Sequence, residues 1–161
     1  MRTLSFIKTI LLLLVISFLS AKIIFAKDYN KHIEKYFLSK KLETLEGIWK
    51  KTYANQGPTG CITIFFKADK DLFNQIHIDS CFVMNKVTGR QSKKTDRSYV
   101  GENAVYYYNG DVSWGTSKIE ISDDLSSFVI THISNSNTFT EKWTRIWPED
   151  IKSYNKLLEN N

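Results

Sequence analysis

His77 and Asp79 stand two residues apart in QIHIDS. In an extended strand that spacing puts an imidazole and a carboxylate on one face, as an acid–base pair requires. The same face carries Gln75 and Cys81, which reads as the wet side of the strand, and no nucleophile stands at a spacing that completes a triad. The chain is therefore not read as an enzyme. His132 alternates with Phe128 and Ile130 and so faces the apolar side of its strand. An axial haem ligand would sit that way, but a lone histidine on an apolar face is more simply a satisfied core residue. The three histidines, at 32, 77 and 132, are too scattered to build a ligand cluster, so neither a metal nor a cofactor is expected.

Cys61 and Cys81 form an even pair, which suggests a single disulfide in an oxidising compartment. Strand alternation sharpens this reading. If the two sulfurs face each other across a hairpin, Thr63 pairs with Asp79 and Phe65 with His77 on one face, while Ile64 pairs with Ile78 and Phe66 with Ile76 on the other. One register thus joins the sulfurs and sorts isoleucines to one side. The bridge closes a loop of about 20 residues, worth on the order of 3 kcal/mol.

Arg90, Lys93, Lys94 and Arg97 cluster among polar residues, either a patch for anionic lipid head groups or, more simply, a solvated loop. Tyr106, Tyr107 and Tyr108 lack the basic interleaving that single-strand binding needs and read as strand. The chain carries 22 basic and 17 acidic residues, but three of the basic ones fall in the first 26 positions, leaving 19 against 17, or +2, for the rest. Net charge gives nucleic-acid binding no support.

Those first 26 residues read as a secretory signal. Arg2 and Lys8 precede an uncharged, largely apolar run from Thr9 to Ala21, too short to cross a bilayer as a helix of about 20 residues. Lys22 interrupts before Ile23 to Ala26 resume the apolar character, so cleavage falls after Ala21 or after Ala26; the alternative is an uncleaved anchor with its lysine snorkelling. Residues 27–161 then form one exported domain, periplasmic or secreted.

Within that domain, Tyr29, Ile33, Tyr36 and Phe37 share one helical face over residues 28–40, with Asp28 as a cap. From Leu45 the period changes to two. Strand-like runs follow at 45–53, 60–67, 74–83, 98–108, 112–114, 117–122, 127–133 and 138–147, separated by NQGPTG, ADKDLF, NKVTGRQSKKTD, NGD, SDDLS and SNSN. Such breaks suit successive antiparallel hairpins. Pro148, Glu149 and Asp150 open a closing helix whose stripe is Ile151, Tyr154, Leu157 and Leu158. About eight short strands without intervening helices predict an all-β barrel or sandwich flanked by short N- and C-terminal helices.

Gly47-Ile48-Trp49, opening the first strand after a helical segment, resembles the Gly-x-Trp motif of the lipocalin and wider calycin barrels. Arg145, in the last strand, stands where those families place an arginine that packs across that tryptophan, and a helix follows as theirs does. Their Thr-Asp-Tyr motif has no match here; Ser122-Asp123-Asp124 is a poor substitute, which makes this a divergent relative. The resemblance implies an eight-stranded up-and-down barrel that carries a small apolar ligand, such as a fatty acid or lipid. The alternative is a packed interaction module, an inhibitor or envelope component, with no internal ligand.

Alternation across Asp123 to Ser126 pairs Ile121 with Phe128 and Ile119 with Ile130. With the inward face of the other hairpin, this gives the expected ligand lining: Ile64, Phe66, Ile76, Ile78, Ile119, Ile121, Phe128 and Ile130.

Overall fold

A computed structural model describes residues 29–106, 110–133 and 138–159. The segment read as a secretory signal, Asp28, Tyr107 and Tyr108 lie outside the described residues. The chain divides into two units, Met1–Leu38 and Ser39–Asn161. The first contributes helix α1 over residues 29–37, where Tyr36 stacks on His32 as their i, i+4 spacing dictates.

The second unit is an eight-stranded antiparallel barrel. Its strands are β1 (Gly47–Ala54), β2 (Ile62–Asp69), β3 (Leu72–Asp79), β4 (Val87–Lys93), β5 (Ser98–Tyr106), β6 (Val112–Ile121), β7 (Ser127–Ile133) and β8 (Thr138–Trp147), followed by helix α2 (Ile151–Glu159). Each strand pairs with the next, and β8 returns to β1, so the sheet has no free edge. The up-and-down architecture is the one expected, although two strands differ from the sequence reading. VTGRQSK is β4 rather than a loop, and the pieces at 112–114 and 117–122 are one strand, β6, running through Gly115. Both carry polar or glycine residues where the apolar half of a strand pattern is ordinarily found, because at this height the interior itself is polar. Helix α2 begins later than Pro148: Asp150 caps it, its carboxylate accepting the amides of Lys152 and Ser153.

One end of the barrel is sealed by packed side chains. Trp49, Phe65, Phe73, Tyr99, Phe128 and Trp143 meet there at the edge-to-face and stacked spacings aromatic rings favour, with Ile119, Ile121 and Ile130 between them. Arg145 closes this end. Its guanidinium lies 4.0 Å from the Trp49 ring centre, and it donates from Nε to Leu125 O (2.9 Å), from Nη1 to Glu46 O (2.8 Å) and from Nη2 to Thr44 O. Trp49 Nε1 in turn donates to Leu45 O at 2.9 Å. Gly47 is required by the same arrangement. Its φ of +136° disfavours any side chain, and a Cβ there would stand 2.4 Å from Trp147 O and 2.9 Å from Arg145 Nη1.

The β6–β7 hairpin has the expected register, with Ile121 opposite Phe128 and Ile119 opposite Ile130, all four inside. The β2–β3 hairpin is inverted. Its inward face carries Cys61, Thr63, Phe65, Phe73, Gln75 and His77, while Ile64, Phe66, Ile76 and Ile78 face outward. The outer wall is unusually apolar here: Ile48, Ile62 and Ile64 are all buried without joining the interior cluster. The rule that the more apolar face points inward therefore selects the wrong side. Thr63 pairs with His77 and Ile64 with Ile76, a register shifted by two from the expected one, and an irregularity between Ile62 and Thr63 takes up one residue of the difference. Cys61 and Cys81 still meet, and they form the disulfide, with Cα atoms 4.7 Å apart.

Candidate functional site

Above the packed end, polar side chains from seven strands form a belt across the barrel interior. Asn103 on β5 donates to Gln75 Oε1 on β3 at 2.6 Å, and Gln91 on β4 donates to Asn103 Oδ1 (2.6 Å) and to Ser117 Oγ on β6 (2.8 Å). Gly89 makes the first of these bonds possible, since a Cβ at that position would sit 2.6 Å from Gln75 Oε1 and 2.8 Å from Asn103 Nδ2. Buried amides of this kind are costly unless paired, and here they pair with one another except at Gln91 Oε1, which is buried without a hydrogen-bond partner among the described residues.

On the other side of the belt, Lys51 on β1 donates to Glu141 Oε1 on β8 at 2.8 Å, and Trp143 Nε1 donates to Glu141 Oε2 at 3.0 Å. The ion pair is largely buried, its side chains retaining 12% and 11% of their exposure. Burial pushes the Glu141 carboxyl up, but the neighbouring His132 and Lys51 outweigh it and hold the group below the ordinary carboxylate range. His77 Nδ1 lies 3.2 Å from Val83 O, Nε2 lies 3.3 Å from Gln75 Nε2, and the ring stacks on Trp143. Burial first, and then the Lys51 charge, lower its pKa to about 4, so the ring is neutral near pH 7. This face of the strand is thus the interior, not the wet side, and Asp79 stands apart from it, exposed.

His132 on β7 faces inward as its alternation implies, but it is not a satisfied core residue. Its ring stacks on Phe139 at 4.2 Å, and its Nε2 is a buried atom without a hydrogen-bond partner among the described residues. Glu141 Oε2 lies 3.5 Å away, within reach of an ion pair but not counted as a hydrogen bond.

The belt is the floor of a cavity of about 290 Å³ at the other end of the barrel. Val83, Val105, Tyr106 and Phe139 contribute its apolar walls, while Pro58, Phe82 and the Cys61–Cys81 bridge also border it. At roughly 30 Å³ per water-sized group, the space takes about ten non-hydrogen atoms. His77 comes within 4.8 Å of both sulfurs, but these are bonded to each other, which leaves the imidazole as the one donor of that group.

None of the eight residues expected to line a ligand site borders this cavity. Ile119, Ile121, Phe128 and Ile130 fill the packed end below it, and Ile64, Phe66, Ile76 and Ile78 point away from it. The basic cluster is also dispersed. Arg90 lies over Trp114 and 3.6 Å from Glu102, Lys93 pairs with Glu43 and Asp96, and Arg97 pairs with Asp123.

Sequence reasoning missed Lys51 and Glu141, yet a signal was present. Lys51 shares the face of Trp49, and Glu141 shares that of Trp143 and Arg145. Once Trp49 is set beside Arg145, as the β1–β8 register has it, Lys51 falls opposite Trp143 and the two charges meet.

No protein-family model matches this chain, and neither a curated protein nor a solved structure does.

Proposed function

We propose that this chain is an exported, lipocalin-like binding protein that carries a small, largely apolar molecule in the cavity at the open end of its barrel. The observation that carries the proposal is the cavity itself, walled by apolar side chains over a hydrogen-bonded polar floor, in the mouth of a closed barrel whose other end is solid. Kinship with lipocalins is supported by the way Gly47, Trp49 and Arg145 act as one unit and by the helix after the last strand. Export is supported by the leader and by the disulfide.

The size of the cavity argues for a compact ligand over a long-chain fatty acid. About ten non-hydrogen atoms binding at micromolar strength need roughly 0.8 kcal/mol each, inside the range small ligands achieve. Native mass spectrometry of protein taken from its own host should reveal a bound small molecule. Calorimetric titration with that molecule should saturate at one equivalent in the wild type and vanish in Val105→Trp, which fills the cavity. A host-purified protein that carries nothing and a titration without saturation would instead favour a barrel that acts through its outer surfaces.

A further inference from the structure

We infer that the ligand is uncharged and ends in a single hydrogen-bonding group, best a phenol or alcohol hydroxyl, which pairs with Nε2 of His132. This rests on the carrier reading above and specifies its ligand.

The charge balance of the cavity comes first. Among the described residues, the charged side chains on its lining are Lys51 and Glu141, and these neutralise each other at 2.8 Å. Glu141 is further engaged by Trp143 Nε1, and His77 is neutral. An anionic ligand would enter facing the Glu141 carboxylate with no unmatched cation to receive it. A cationic ligand would meet Lys51 in the same way. Either charge would be stripped of water without compensation, the costliest form of burial. A carboxylate head group, including that of a fatty acid, is therefore disfavoured.

The second observation is the orphaned nitrogen. Buried polar atoms almost always have a hydrogen-bond partner, and His132 Nε2, on a residue that is about nine-tenths buried and lines the cavity, has none among the described residues; Glu141 Oε2 stands 3.5 Å from it. An imidazole nitrogen acts as donor or acceptor according to the tautomer. A hydroxyl group donates and accepts, so it satisfies both. Beside that nitrogen, Phe139 lies nearly parallel to the His132 ring, 13° from coplanar, so a flat ring can continue the stack. Room for about ten non-hydrogen atoms suits one aromatic ring with a short alkyl arm.

The test is calorimetric titration of the intact, disulfide-bonded protein with three compounds of similar size: para-propylphenol, para-propyltoluene and para-ethylbenzoate. The phenol should bind about tenfold more tightly than the hydrocarbon, the worth of one buried hydrogen bond, and the carboxylate more weakly than either. His132→Phe should erase the phenol's advantage over the hydrocarbon, and His132→Gln, which keeps a polar atom and guards against a folding defect in the first variant, should retain part of it. Equal affinity of phenol and hydrocarbon, or tightest binding by the carboxylate, would overturn the inference while leaving the carrier reading intact. Failure of all three to bind the wild type would overturn both.

Discussion

Replacing Arg145 with methionine tests whether the sealed end of the barrel depends on the guanidinium rather than on bulk. Methionine preserves most of the volume but removes three hydrogen bonds, to the carbonyls of Leu125, Glu46 and Thr44, and the contact with Trp49. Hydrogen bonds from a charged donor contribute about 1.5–3 kcal/mol each, and a desolvated cation–π contact about 2 kcal/mol. Against this stands the cost of burying the guanidinium, which is strong enough to lower its pKa to about 10. Water reaching the freed carbonyls softens the loss further. The balance is a destabilisation of about 3–5 kcal/mol, the range found when one partner of a buried charged arrangement is removed. In urea unfolding followed by tryptophan fluorescence this moves the midpoint down by about 2 M. A double-mutant cycle with Trp49→Leu isolates the ring contact and should return a coupling of about 1–2 kcal/mol. A change in stability below about 0.5 kcal/mol for Arg145→Met, or no coupling in the cycle, would refute this account of the Gly47, Trp49 and Arg145 unit.

Two further outcomes follow from the upper half of the barrel. Because the Cys61–Cys81 bridge spans a sequence separation of 20, replacing both cysteines with alanine should cost about 3 kcal/mol, with a matching fall in wild-type melting temperature under reducing conditions; a melting curve indifferent to reductant would contradict it. Burial lowers the pKa of His77 from the ordinary 6.5 to about 4 in the folded chain, so between those values the unfolded chain binds a proton that the folded chain does not. Its contribution is complete above pH 6.5 and is lost as the pH falls toward about 4, at about 1.4 kcal/mol per unit. His77→Gln should flatten the stability profile across that window, and profiles that stay parallel would count against the burial of a neutral imidazole.

How far the sequence revealed the molecule depended on what each strand turns inward. The β6–β7 hairpin was legible to the residue because Ile119, Ile121, Phe128 and Ile130 face a dry interior and their neighbours Lys118 and Glu120 face water. Trp49 and Arg145 were legible for a similar reason: one closes the sealed end and the other satisfies its carbonyls. At the height of the belt the usual logic reverses. Gly89 and Gln91 are buried inside β4, so that strand shows no apolar alternation and reads as a loop. Gln75 and His77 likewise made the inner face of β3 look like its outer one, helped by isoleucines on the opposite side. The features that hid the candidate site from a search for apolar periodicity are those that give it chemistry.

The polar belt also gives the barrel a false floor. Below it, aromatic rings and the Arg145 clasp hold the fold together; above it, the walls of the cavity contribute little to that lower packing. Stability and recognition are thereby assigned to different storeys of the same strands. Variation at Val83, Val105 and Phe139 should reshape the cup while its foundation stays whole, so that a library randomised at those positions would yield folded proteins with new tastes in ligand. The same exchange at Ile119 or Phe128 would yield few folded proteins at all.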